Sequence, residues 1–235
     1  MLATEGVTNT RYYRATKQGF LQKMFPKEGE KVPEVRFPGF TDNWKQLKLG
    51  EVAEKISVGI ATSSSQYFST SSNGVPFVKN QDIKENKLNT EKLEYISHEF
   101  DEQNKNKRIK TGDILTARTG YPGLSAVVPQ ELNGAQTFTT LITRIKKNIV
   151  IPYFVSLFIN SPKGMKQISG MEAGGAQKNV NAGILQNLIV PVPSINEQTK
   201  ISSFIEQFDE TIFLHQRELE LLKSTKKAFL QKLFV

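Results

Sequence analysis

Near the C-terminus, ten positions repeat without a slip. Ile201, Ile205, Phe208, Ile212, His215, Leu219, Leu222, Lys226, Phe229 and Leu233 are spaced 4, 3, 4, 3, 4, 3, 4, 3 and 4 residues apart. Eight of the ten are apolar, and a mean period of 3.5 is the pattern of a coiled-coil seam. His215 is then a polar notch that sets register. Pro191 and Pro193 stop whatever precedes, and Ser194 with Glu197 makes a capping box. At ~1.5 Å per residue the helix over 194–235 is roughly 60 Å long, a rigid spacer as much as a packing element.

A seam implies a second helix, and the other end of the chain carries part of one. Thr16, Lys17, Phe20, Leu21, Gln22, Lys23 and Phe25 match Thr225, Lys226, Phe229, Leu230, Gln231, Lys232 and Phe234, seven identities in ten positions at a constant offset of 209. The repeating unit is therefore one body and one long helix. This chain holds one full unit plus the tail of a preceding helix, as half of a tandem protein or a subunit that pairs with its own copy. Residues 1–15 show no clear period, though Tyr13 falls at the position equivalent to Leu222.

Between the two helices the pattern changes. Pro26, Pro33 and Pro38 make residues 26–43 an extended connector, so 1–43 is set apart as helix end and connector. The body spans 44–193 and opens with Leu47, Leu49, Val52 and Ile56 as core positions. A Ser/Thr-rich loop over 57–74 ends in the turn signal Asn73-Gly74. Pro76–Ile83 reads as a strand, and 84–108 as charged and partly helical. Asp113–Thr116, Leu124–Val128 and Thr137–Ile145 are strand candidates by their β-branched content. Arg118–Gly123 is a tight turn, Pro152 starts a helix reaching Ser169, Gly174–Asn181 is a polar glycine loop, and Leu185–Val192 is the last strand. The class is α+β: one globular mixed α/β body plus a long C-terminal coiled-coil-type helix.

Charge changes the picture only when divided. The net charge of +8 leaves 194–235 neutral and 41–102 at −3, while 103–193 holds eleven basic against three acidic side chains. A bound polyanion such as double-stranded DNA accounts for that asymmetry; a solvated basic face is the plain alternative. The chain has no cysteine, which excludes thiolate metal sites and disulfides and fits a reducing cytoplasm. The most apolar run, 149–159, is too short to span a bilayer.

Catalytic constellations are missing from the sequence. His98 and His215, the two histidines, sit in different elements with no second ligand at metal spacing. No phosphate-binding or dinucleotide glycine motif occurs, nor the Asn-Pro-Pro-aromatic tetrapeptide of amino-methyltransferases. Asp82 with Glu85-Asn86-Lys87 faintly resembles a nuclease cluster, but its spacing fits a solvated turn. No metal and no cofactor is expected. What remains suits binding. Arg118, Thr119 and Tyr121 offer a guanidinium, a hydroxyl and a ring, and arginine reads guanine by a two-point contact or grips phosphate. Gln177, Lys178 and Asn179 offer amides that suit adenine, beside a cation for phosphate. Lys79, Asn80, Lys107 and Arg108 are further phosphate candidates.

These residues carry a resemblance. FLQKMFPKEGEKVPEVRFPGFTDNWKQLKLGEVAE (20–54), GDILTARTG (112–120), GGAQKNVNAGILQNLIVPVPSINEQTKISSFI (174–205) and LKSTKKAFLQKLF (222–234) make the chain similar to specificity subunits of type I restriction-modification systems. The resemblance implies that the body is a target-recognition domain reading one half of a bipartite DNA sequence. It implies no catalysis by the chain itself, which would dock modification subunits that methylate adenine, and a restriction subunit. Family members carry two such domains and two helical regions that pair antiparallel; here one domain and one complete helix are present. The expected partner is thus a second copy, as an antiparallel homodimer through Ile201–Leu233 with a palindromic, interrupted target. The competing reading is an assembly scaffold whose basic face is incidental.

Overall fold

The computed structural model describes the backbone of residues 2–171 and 179–233, with side chains over 11–171 and 179–231. Helix α1 (Leu2–Met24) leads through the proline-rich connector to β1 (Lys45–Lys48), the single turn α2 (Leu49–Val52) and β2 (Ala53–Val58). Next come β3 (Phe68–Ser69), β4 (Val75–Val78), β5 (Ile83–Lys84), β6 (Lys87–Leu88), β7 (Glu94–Ile96) and α3 (His98–Gln103). Strands β8 (Ile114–Thr116), β9 (Ser125–Val127), β10 (Gln136–Thr137) and β11 (Leu141–Ile145) precede α4 (Pro152–Asn160), α5 (Pro162–Met171) and α6 (Ala182–Asn187). β12 (Ile189–Val192) runs into the long helix α7 (Ile195–Leu233).

Two four-stranded sheets build the body. One is antiparallel in the order β2-β11-β8-β9; the other, β10-β4-β7-β3, includes a parallel β10–β4 pair. β1 pairs antiparallel with β12, Lys45 opposite Val192 and Lys48 opposite Ile189, so the two ends of the body close on each other where the helices attach. Within the main core, Phe25 packs 5.2 Å from Phe158, 5.4 Å from Phe154 and 6.3 Å from Trp44, ring centre to ring centre. Leu21 and Met24 of α1, and Phe25 just after it, are buried in this cluster together with Ile201 and Ile205 of α7. The end of α1 is thus part of the body's own core.

Helices α1 and α7 run antiparallel. Phe20 packs on Phe204 and Phe208 at 5.0 and 5.7 Å, and Tyr13 stacks on His215 at 5.3 Å. Ile201, Ile205, Ile212 and Leu219 are buried, and Phe208, His215 and Leu222 half-buried. For this part of the seam the partner is therefore the chain's own α1 and body, where a second copy was expected. Farther along, Lys226 and Phe229 are exposed; the Leu233 side chain lies outside the described residues. His215, expected as a polar notch, is half-buried and stacks on Tyr13 of the chain's own α1.

Local departures from the expected elements have physical causes. Residues 2–15, which show no period of their own, are helical because α1 lies against α7. The helix expected from Pro152 to Ser169 is two helices, since Pro162 drives Ser161 into an extended conformation, at φ −67° and ψ 157°. The first three residues of the expected last strand belong to helix α6, whose first turn is capped by the Asn181 side chain accepting from the Ile184 N–H at 3.0 Å. The expected strand Thr137–Ile145 is split into β10 and β11 around Thr139, whose φ is +55°. The strand expected over Pro76–Ile83 turns into a short 3₁₀ segment at Asn80–Asp82.

Two joints tie the rod to the body. At the start of α7 the Ser194 hydroxyl accepts from the Glu197 N–H at 3.3 Å, half of the expected capping box. The other half is diverted, because the Glu197 carboxylate accepts two bonds from the Arg36 guanidinium at 2.7 and 2.8 Å. Gln198 accepts from the Ile151 N–H and donates to the carbonyls of Ile149 and Pro193. Farther along, Asp209 accepts from Lys17 at 2.6 Å and from the Tyr153 hydroxyl at 2.7 Å, Lys17 also reaches Glu85 at 3.3 Å, and Lys87 lies 3.9 Å over the Phe213 ring.

Burial first, then the Asp209 charge, push the Tyr153 phenol far above its ordinary range. A folded-state value raised above the unfolded one contributes stability that is present below about pH 10 and lost as pH rises further. Thermal melting of the parent and of Tyr153→Phe should therefore differ at neutral pH, and the gap should narrow above about pH 10. A gap that widens there removes this account of the joint.

Candidate nucleic-acid interface

The turn after β8 is built by glycine. Gly120 and Gly123 sit at φ +78° and +92°, where a side chain is disfavoured, and a Cβ on Gly123 would lie 3.0 Å from the Met165 sulfur. The Gly123 N–H donates to the Ala117 carbonyl and the Ala117 N–H to that of Leu124, so the loop closes tightly and pushes Tyr121 outward, 72% exposed. Arg118 leaves the strand at its base.

Three distant stretches meet there. The Asn80 side chain accepts from the Arg118 N–H at 2.8 Å, with its own amide donating to the Thr139 hydroxyl at 3.1 Å. The Val180 N–H donates to the Arg118 carbonyl at 3.1 Å, and Arg118 Nε donates to the Val180 carbonyl at 3.4 Å. Asn80 is thereby brought to Arg118, while Thr119 and Asn179 are the chain neighbours of Arg118 and Val180 and Tyr121 lies three residues on in the same turn. Gln177 and Lys178 lie outside the described residues. Among the described residues, no carboxylate lies within ion-pair distance of Arg118.

The other candidates fall elsewhere. Lys79 is drawn to Glu94 at 2.5 Å and lies 5.0 Å over the Phe68 ring. Lys107 and Arg108 line a crevice with Lys55, Ser57, Asn106, Ile142 and Arg144. Arg108 is committed to carboxylates, donating three times to Asp101 and once to Glu102 at 2.6–3.1 Å. Burial pushes the Asp101 carboxyl up, but hydrogen bonds from Arg108 and Gln136 outweigh it and hold the group below its usual range. Arg144 is likewise held by the buried Asp113 at 2.7 and 2.8 Å. Lys107 has no carboxylate in ion-pair range among the described residues. Thr139, absent from the sequence-based candidates, belongs to the Arg118 edge, and its alternation inside a strand-like run gave no sign of it.

Among the described residues, no group of three or more His, Asp or Glu side chains is arranged to hold a metal ion, and no helix is long and apolar enough to cross a membrane. His98 opens α3 with its neighbour Ser97 capping the helix, the Ser97 hydroxyl accepting from the Phe100 N–H. Asn86, at φ +58°, is the turn of the β5–β6 hairpin; its side-chain oxygen accepts from Ser156 and Asn160, so the faintly nuclease-like stretch is a structural turn.

Comparison with known proteins agrees with this architecture. A putative type I restriction enzyme MjaX specificity subunit from Methanocaldococcus jannaschii is 25% identical over 205 residues, covering 82% of this chain and 46% of the relative. The type I restriction enzyme EcoBI specificity subunit from Escherichia coli is 29% identical over 136 residues, covering 57% and 28%. The chain thus spans about half the length, or less, of these relatives. In fold it is similar to a chain from a structure of a type I R-M system, at TM-score 0.68, 19% identity and coverage of 97% of this chain and 52% of the other. It is also similar to the HsdS subunit from Thermoanaerobacter tengcongensis, at TM-score 0.60, 18% identity and coverage of 99% and 53%. A family model, that of the type I restriction modification DNA specificity domain, matches residues 41–224, taking in the body and most of α7, and to that family the chain belongs.

Proposed function

We propose that the chain is a DNA sequence-recognition subunit of a type I restriction-modification complex, reading one half of a bipartite target and docking modification subunits that carry out the methylation. The observation that carries this reading is the edge around Arg118. A guanidinium with no carboxylate in ion-pair range among the described residues stands on the same edge as Asn80, near an exposed tyrosine, on a body whose second half is strongly basic. Arg118, Thr119, Tyr121 and Asn179, with Gln177 and Lys178 next to them in sequence, are proposed to face the grooves. Lys107 and Lys79 are proposed phosphate contacts, Lys79 only after leaving Glu94; Asn80 and Arg108 act from within, holding loops in place.

A second copy of the chain is the proposed partner of the exposed tip of α7. Leu21, in the N-terminal copy of the repeat, is sealed in the body's core, whereas its equivalent Leu230 is 44% exposed and Phe229 is 64% exposed. Among the described residues, the same sequence is buried at one end and exposed at the other. A second body of the same kind supplies the matching surface, and two copies present two reading edges related by a two-fold axis.

Duplex titrations at increasing salt test the DNA reading. Binding should weaken linearly in log salt, and Lys107→Ala should lower the slope by about 1 while weakening all sequences alike. Arg118→Ala should cost ~1–3 kcal/mol on the preferred duplex and relax one base position. Absence of binding at every salt concentration would favour the scaffold reading.

A further inference from the structure

Thr139 sits in a conformation that a β-branched residue rarely adopts. Its φ of +55° crowds Cβ against the backbone, which is why glycine, asparagine and aspartate dominate this region. The surrounding bonds impose it. The Phe138 N–H donates to the Val78 carbonyl at 2.8 Å, the Thr139 N–H to that of Ile60 at 2.9 Å, and the Thr137 hydroxyl to Val78 at 2.9 Å. A glycine would meet all of these backbone demands without crowding. What threonine adds is its hydroxyl, and that hydroxyl accepts from the Asn80 amide, whose other end holds the Arg118 N–H.

We infer that Thr139 and Asn80 form a clasp that fixes the aim of Arg118, making Thr139 a positioning residue for base discrimination. One amide spans two loops: its donor is oriented by Thr139, so its acceptor is left pointing at Arg118. Arg118 is then closed from the far side by Val180, and both ends of its loop are fixed before any ligand arrives. Pre-set geometry of this kind sharpens discrimination, because a misaligned guanidinium can satisfy several base edges about equally well.

The inference rests on the DNA reading proposed above, and one experiment separates the two. The full chain, co-expressed with modification subunits, is used to select duplexes from a pool with a randomised segment, and the preferred duplex is compared with single-base changes. Thr139→Gly should keep or raise the melting temperature, because the crowding is relieved, yet reduce discrimination at the Arg118 position by about fivefold or more. Thr139→Ser should restore it, and Asn80→Ala, which removes both the donor to Thr139 and the acceptor for the Arg118 N–H, should lose discrimination at least as far as Thr139→Gly. If Thr139→Gly discriminates as well as a discriminating parent, or if Thr139→Ser loses as much as Thr139→Gly, the clasp is overturned alone. A parent that selects no sequence overturns the DNA reading and the clasp with it.

Discussion

Leu21→Ala is expected to lower the stability of the chain by about 2–5 kcal/mol, while the identical truncation at Leu230 changes it by no more than about 0.5 kcal/mol. The two leucines occupy equivalent places in the repeat, but Leu21 is fully buried among the core residues that surround Phe25, and Leu230 is 44% exposed. Removing a buried isobutyl group forfeits its transfer energy and leaves a cavity that the aromatic cluster is too rigid to fill. Removing an exposed one forfeits little within the single chain. Its cost should appear instead in association: light scattering on Leu230→Ala should report fewer paired copies than the parent at the same concentration. Denaturant unfolding followed by circular dichroism measures the first effect. Equal losses at the two positions would show that the tip of α7 is packed within its own chain.

The second large effect is expected at the start of α7. Glu197→Ala should cost about 3 kcal/mol, toward the lower end of what breaking a buried ion pair costs. Glu197 is 1% exposed and grips Arg36 through both oxygens, and that hydrogen bonding, opposed in part by burial, raises the guanidinium above its usual value. Without the carboxylate, Arg36 keeps one bond, to the Asp42 carbonyl at 2.8 Å, and some access to water, which limits the loss. The double replacement Arg36→Met with Glu197→Leu should recover much of the stability, since an apolar pair of similar volume avoids desolvating two charges. If the single and double variants unfold at the same denaturant concentration, the pair contributes nothing specific.

The long helix was legible because its signal is local and repeated, and α7 runs over Ile195–Leu233 as its spacing predicts. β8 and β9 were legible for a similar reason: short β-branched runs bounded by turns. What sequence periodicity misses is structure imposed from a distance. Residues 2–15 are helical through their place beside α7, and α6 forms in an apolar stretch that alone reads as a strand. The interface divides in the same way. The chemistry of Arg118 and Asn80 was visible, but their meeting across 38 residues was not. Nor could charge counting distinguish Arg118 from Arg108, since the difference is whether a carboxylate, among the described residues, lies alongside.

Those internally held arginines bear on how the protein should respond to its ionic surroundings. Arg108 and Arg144 are paired with the buried Asp101 and Asp113, and Arg108 also with the exposed Glu102, so they have less charge left to exchange with a polyanion's condensed counterions. Cations displaced from DNA on binding should therefore number fewer than the lysines and arginines of the basic half, and the shortfall should persist when either arginine is exchanged together with its acidic partner.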